Sequence, residues 1–171
     1  MHKNELIKTL ISADEDASLV IKTQEKIKVI IAGGSALIMH NVIQRQTMDI
    51  DTIGLNAELE LIFNELGINS RMNAFSDSLA ECYEDRLEKI DIPTNVIDYY
   101  MLSLEDLVIM KLFSDRGKDY KDITNKQLLE KLDWNKLDQI IQSGEADVSF
   151  NQDRCKRFLE KYENYKKEFK Q

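Results

Sequence analysis

Two aspartates one residue apart, Asp49 and Asp51 in the stretch TMDIDTI, are the side chains whose type and spacing most directly suggest chemistry. In an extended strand, residues i and i+2 point the same way. Thr47, Asp49 and Asp51 then share one face of a strand expected over residues 47–53, with Met48, Ile50 and Thr52 on the other. At a rise of about 3.3 Å per residue the aspartates stand roughly 7 Å apart along the backbone. Carboxylates that close repel each other unless a positive charge lies between them. Magnesium takes one or two carboxylates together with substrate phosphates, so such a strand is a sensible clamp for it. The same triplet also suits a solvent-facing strand edge, and alone it does not choose.

Just upstream, IKVIIA (27–32) is a β-branched run typical of a buried strand, and Gly33 and Gly34 break it. SALIMHNVI then reads as a helix with Ser35 at or near its start. A strand that ends in a glycine pair and opens a helix exposes backbone N–H groups suited to phosphate. No Gly-Lys-Ser/Thr follows, and GGSAL is not a GxGxxG fingerprint, so neither of those nucleotide loops is present. An ordinary tight turn is the plain alternative. Glycine turn and acid pair together suggest metal-bound phosphoryl chemistry.

A second informative stretch is DLVIMKLFSDRGKDYKDI. From Leu107 to Phe113 every residue except Lys111 is apolar, the mark of a buried helix. A lysine there either snorkels to water or needs an anionic partner, such as a phosphate or an acidic metal ligand. Arg116, Asp119 and Asp122 follow, the two acids at i and i+3 on one helical face. Asp119 also suits a helix N-cap.

These residues need elements to hold them. Residues 3–24 read as one or two helices and 57–66 as a helix ended by Gly67, whereas 68–80 show no clear pattern. DRLEKIDI and NVIDYYML read as strands around a turn containing Pro93 and Asn95. Ser103 opens a helix to about Asp115 through a capping-box-like SLED. RGKD is a turn, YKDITNKQLLEKL another helix, and the remainder is helical. The order predicts an α+β fold, a mixed sheet with flanking helices and a helical C-terminal part. Two segments are expected: a core over 1–125 including the N-terminal helix, and a C-terminal helical extension over 126–171 packed on it.

With 171 residues, 43% of them hydrophobic, the chain can build a real core. A net charge of -8 argues against a generic nucleic-acid coat. Cys82 and Cys155 have neither CxxC nor zinc spacing, which points to a reduced, cytoplasmic setting. The first residues lack a signal-peptide apolar segment, and no run of about 20 apolar residues spans a membrane. In the tail, Phe158, Tyr162, Tyr165 and Phe169 form a helical stripe expected to pack against the domain. Residues 151–171 carry seven Lys or Arg against four Asp or Glu, a basic balance that would also suit RNA phosphates.

GGSALIMHNVIQRQTMDIDTI resembles the signature of the nucleotidyltransferase superfamily that includes DNA polymerase beta. The fuller pattern resembles a bacterial branch, the AbiEii-like toxin nucleotidyltransferases and their relatives. Gly33, Gly34, Ala36, Arg45, Thr47, Asp49 and Asp51 match the first block, and Lys111, Arg116, Asp119 and Asp122 the second; together they span about 27–125. The resemblance implies a nucleotidyltransferase fold and transfer of a nucleoside monophosphate from an NTP to an RNA (such as tRNA), a protein or a small molecule. It implies a toxin with an antitoxin partner, or a phage-defence protein. Asp49 and Asp51 would hold Mg2+ or Mn2+. Gly33, Gly34, Ser35, Arg45, Thr47, Lys111 and Arg116 would bind nucleotide, and Asp119 or Asp122 would complete the acidic site or position the acceptor. Superfamily members often add a third metal-holding carboxylate from a later strand, for which Asp91 and Asp98 are the candidates. The alternative is a non-catalytic binding or antitoxin protein on the same fold.

Overall fold

A computed structural model describes residues 1–70, 77–147 and 151–170. The chain divides into two compact units, one of Met1–Ala74 with Leu87–Leu102, the other of Phe75–Arg86 with Ser103–Gln171. The division runs at Leu102–Ser103, so residues 103–125 fall in the same unit as the C-terminal helices. Among the described residues no helix is long and apolar enough to cross a membrane.

The first unit is a five-stranded sheet with helices. Its elements are α1 (Lys3–Val20), β1 (Ile27–Ile31), α2 (Gly33–Met39), β2 (Ile50–Ile53), α3 (Ala57–Glu65), β3 (Ile68–Asn69), β4 (Glu88–Lys89) and β5 (Ile97–Met101). The sheet order is β3-β2-β1-β5-β4. β1 runs parallel to β5 and antiparallel to β2, while β2 and β3 run parallel. Val29, Ile30, Ile31, Ile97 and Tyr99 are buried on these central strands, as their β-branched and aromatic run requires. The α+β architecture expected from the pattern is present.

α1 is tied to the sheet through Asp14, which is 1% exposed. Its carboxylate accepts from the backbone N–H groups of Asn95 (2.6 Å), Val96 (2.9 Å) and Ile97 (2.8 Å). Three peptide donors satisfy a buried charge that would otherwise be costly. α2 ends with Asn41 in the left-handed region at φ 56°. The amide of Val42 donates to Leu37 O and that of Asn41 to Ile38 O, which closes the terminus as a Schellman motif and turns the chain towards β2. Lys3 Nζ donates to Met39 O and Asn41 Oδ1 at the same terminus.

The second unit is helical: a short 3-10 turn (Tyr83–Arg86), α4 (Leu104–Leu112), α5 (Gly117–Ile123), α6 (Lys126–Lys131), α7 (Trp134–Gln142) and α8 (Gln152–Phe169). Ser103 caps α4 by accepting from the Asp106 amide. The single helix expected over 120–132 is two, because Asn125 accepts from the Gln127 amide and starts α6. The aromatic stripe of α8 packs inward, as expected. Phe158 stacks on Phe113 at 4.2 Å between centroids, and the Tyr165 hydroxyl donates to Ile123 O. Lys166 and Lys170 both meet Asp138, so part of the basic character of the tail is neutralised within the unit.

Candidate functional site

The glycine pair and the aspartates meet at one end of the sheet. β1 and β2 pair with Ile31 opposite Thr52, and the Ala32 amide donates to Asp51 O at 2.9 Å. Asp51 therefore stands beside the residues that leave β1 and open α2. The Asp51 carboxylate lies so close to Gly33 that a Cβ there would be 2.7 Å from Oδ2. Gly33 also has φ +59°, which disfavours any residue with a Cβ. At Gly34 a Cβ would be 3.0 Å from an Arg45 Nη. The two glycines thus make room for an acid and a guanidinium belonging to the protein itself.

Asp49 lies just before β2, not within it. The strand expected from residue 47 begins at Ile50, because residues 47–49 are held by side chains instead of a ladder. Thr47 Oγ1 donates to Asp49 O at 2.9 Å, and the buried Ser35 Oγ donates to the same carbonyl at 3.3 Å. Ser35 and Thr47, expected to bind nucleotide, here brace the backbone that presents Asp49. Asn69 Nδ2 donates to Asp49 Oδ2 at 3.2 Å, and Asn69 is the register partner of Asp51 across the parallel β2–β3 pair. Side chains of paired residues leave the same side of a sheet, so Asp49, Asp51 and Asn69 sit together on one side. Asp49 and Asp51 are both half-buried.

Neither candidate for a third carboxylate joins this group. Asp98 is level with Lys28, four residues down β1 from Ala32, or about 13 Å along the strand, and pairs with Lys89 at 3.0 Å. Asp91 is exposed in the turn between β4 and β5. Among the described residues no three or more His, Cys, Asp and Glu side chains gather as a metal cluster. Two half-buried carboxylates beside a glycine cradle still fit Mg2+, which completes its shell with water and phosphate oxygens.

Lys111, Arg116, Asp119 and Asp122 lie in the other compact unit, and they form a group of their own. Lys111 is 5% exposed on α4 and does not snorkel. Its Nζ donates to Asp119 Oδ1 at 2.6 Å and to Asp122 Oδ2 at 3.0 Å. Ser114 Oγ and Arg116 Nε each donate to Asp119 Oδ2 at 2.7 Å. Burial alone would raise the Asp119 carboxyl; Lys111, Ser114 and Arg116 outweigh it and hold the group below the usual carboxylate value. Asp119 is no N-cap. Arg116 occupies that position, and Asp119 sits in the first turn of α5 with its side chain turned to Lys111. Arg116 is exposed, its guanidinium held by Asp119.

Two side chains carry no mark in the sequence, Asn69 at the aspartate pair and Arg86 within the helical unit. Asn69 lies in the stretch that showed no pattern, because a two-residue strand is too short to show alternation. Arg86 donates through Nε to both Asp106 oxygens and through Nη1 to Glu145 at 2.6 Å, and so ties the 3-10 turn to α4. Nothing in its local sequence marks it.

Comparison with curated proteins and with solved structures gave no significant match. The family model described as "Nucleotidyltransferase of unknown function (DUF6036)" matches residues 8–170, a span that takes in both groups of residues, and the chain belongs to that family.

Proposed function

We propose that the protein transfers a nucleoside monophosphate from an NTP to an acceptor on RNA, protein or a small molecule, and that it acts as the toxin half of a toxin–antitoxin or phage-defence pair. The supporting observation is the Asp51 carboxylate lodged against Gly33, with Asp49 on the same side of the sheet, in a chain of a nucleotidyltransferase family. In such a transfer the acceptor oxygen or nitrogen bonds to the α-phosphorus while the P–O bond to the β-phosphate breaks, pyrophosphate leaves and the acceptor's proton passes to water. The barrier falls mainly through positioning and charge neutralisation. Asp49 and Asp51 would hold Mg2+, which when bound neutralises charge on the phosphate oxygens. Arg45, over Gly34, brings a positive charge to the same turn.

Purified protein incubated with α-labelled NTPs, Mg2+ and either cellular RNA or protein should transfer label. An Asp49→Ala/Asp51→Ala double variant should not. Equal labelling by the two proteins, or none from any NTP, would defeat the proposal. The engagement of Lys111 by Asp119 and Asp122 favours a second reading, a binding module of the same fold. Calorimetry showing Mg2+-dependent NTP binding without transfer would select it.

A further inference from the structure

We infer that Asn69 is a positioning residue for the aspartate pair: its side-chain amide sets the orientation of the Asp49 carboxylate. The inference rests on reading Asp49 and Asp51 as cation ligands. Three observations carry it. Asn69 Nδ2 donates to Asp49 Oδ2 at 3.2 Å. Asn69 is the register partner of Asp51, so one side chain neighbours both acids. Its own backbone is held, since the fully buried Thr52 donates from Oγ1 to Asn69 O at 2.9 Å.

The chemistry favours an amide at this position. A carboxylate at the start of a strand turns about its Cβ–Cγ bond, and a fixed N–H donor stops that rotation without adding charge. An aspartate at 69 would instead place a third negative charge beside two others. A lysine would compete with a cation for the same oxygens. Hydrogen bonds to the ligands of a metal raise its affinity because the ligand no longer loses freedom on binding, and removing such a partner typically costs about 10- to 100-fold. The bond from Asn69 to Asp49 is neutral, so the low end of that range, about tenfold, is expected.

The test uses the full chain and Mn2+ followed by electron paramagnetic resonance, a readout that needs no acceptor. Wild type, Asn69→Ala, Asn69→Ser and Asp49→Ala/Asp51→Ala are titrated with Mn2+, and each is melted without metal. Asn69→Ala should raise the Mn2+ dissociation constant about tenfold while its metal-free melting temperature stays within a few degrees of wild type. Asn69→Ser, which keeps a shorter donor, should fall between and covers the case in which the alanine variant folds poorly. Equal Mn2+ affinity in wild type and both Asn69 variants would overturn the positioning role while leaving the aspartate site standing. If wild type binds Mn2+ no better than the double aspartate variant, the site reading fails and the inference falls with it.

Discussion

Two pairs of aspartates in this protein, Asp119 with Asp122 and Asp49 with Asp51, stand in different surroundings. Asp119 and Asp122 are 3% and 4% exposed and both accept from Lys111, a cation supplied by the chain itself. Asp49 and Asp51 are half-buried at one end of a sheet, where Asn69 donates to the first, the second lies against Gly33 and Arg45 lies over the neighbouring Gly34. A buried acid pair must be neutralised from within, because an unpaired charge is too costly in a low-dielectric interior. A half-buried pair retains access to water and to ions. Acids of one type at similar spacing are therefore tied to an internal lysine in one unit and stand beside a glycine turn in the other.

The sharpest way to break this contrast is to remove the internal cation. Lys111→Met should destabilise the protein by about 3–5 kcal/mol in urea unfolding, since it removes the buried cation that both carboxylates accept from. The triple change Lys111→Met/Asp119→Asn/Asp122→Asn should recover most of that loss. If Lys111→Met instead left stability unchanged while NTP binding was abolished, Lys111 would belong with the ligand site.

The other region should respond to backbone and space. Gly33→Ala imposes a Cβ at φ +59° and 2.7 Å from Asp51 Oδ2, and should cost about 1–2 kcal/mol and weaken Mn2+ binding. Gly34→Ala meets only the movable end of Arg45 at 3.0 Å and should cost under about 1 kcal/mol. Equal costs for the two would remove the special role of Gly33.

Acid should separate the pairs further. The folded Asp119 carboxyl sits below its ordinary value of 3.8, so its contribution is fully present above that value and fades as pH falls through and below it. Between pH 5 and pH 3 the unfolding free energy of wild type should drop more steeply than that of Asp119→Asn. Identical slopes would show that Lys111 does not hold Asp119 ionised. The smallest effect is expected for Asp49→Asn without metal, where relief of repulsion should leave the melting temperature unchanged or slightly raised. A large drop would make Asp49 a structural acceptor for Asn69.

Much of the fold was legible because its signals are local. The β-branched run of β1, the Ser103 cap, the aromatic stripe of α8 and the glycine after α3 each lie within a few residues of what they specify. Boundaries depart from the sequence pattern where a side chain intervenes. Thr47 and Ser35 pull residues 47–49 out of the strand, and Asn125 splits a helix. In the site, Gly33 and Asp51 were legible as a pair, since a glycine turn and an Asp-x-Asp stretch are sequence patterns. Asn69 was not, because it acts on a carboxylate 20 residues away through strand pairing that leaves no periodic trace.

The amino-acid sequence by itself determined most of the helices and the central strands, the turn at Gly33 and Gly34, and the need of a lysine in an apolar helix for an anion. Only the tertiary structure decided that this anion is the Asp119–Asp122 pair, that Arg45 lies over Gly34, and that Asn69 reaches Asp49. The physical reason is range. Periodicity and capping are energies of neighbouring residues, whereas the partner of a charge is settled only when the chain has closed and burial has removed water as the alternative.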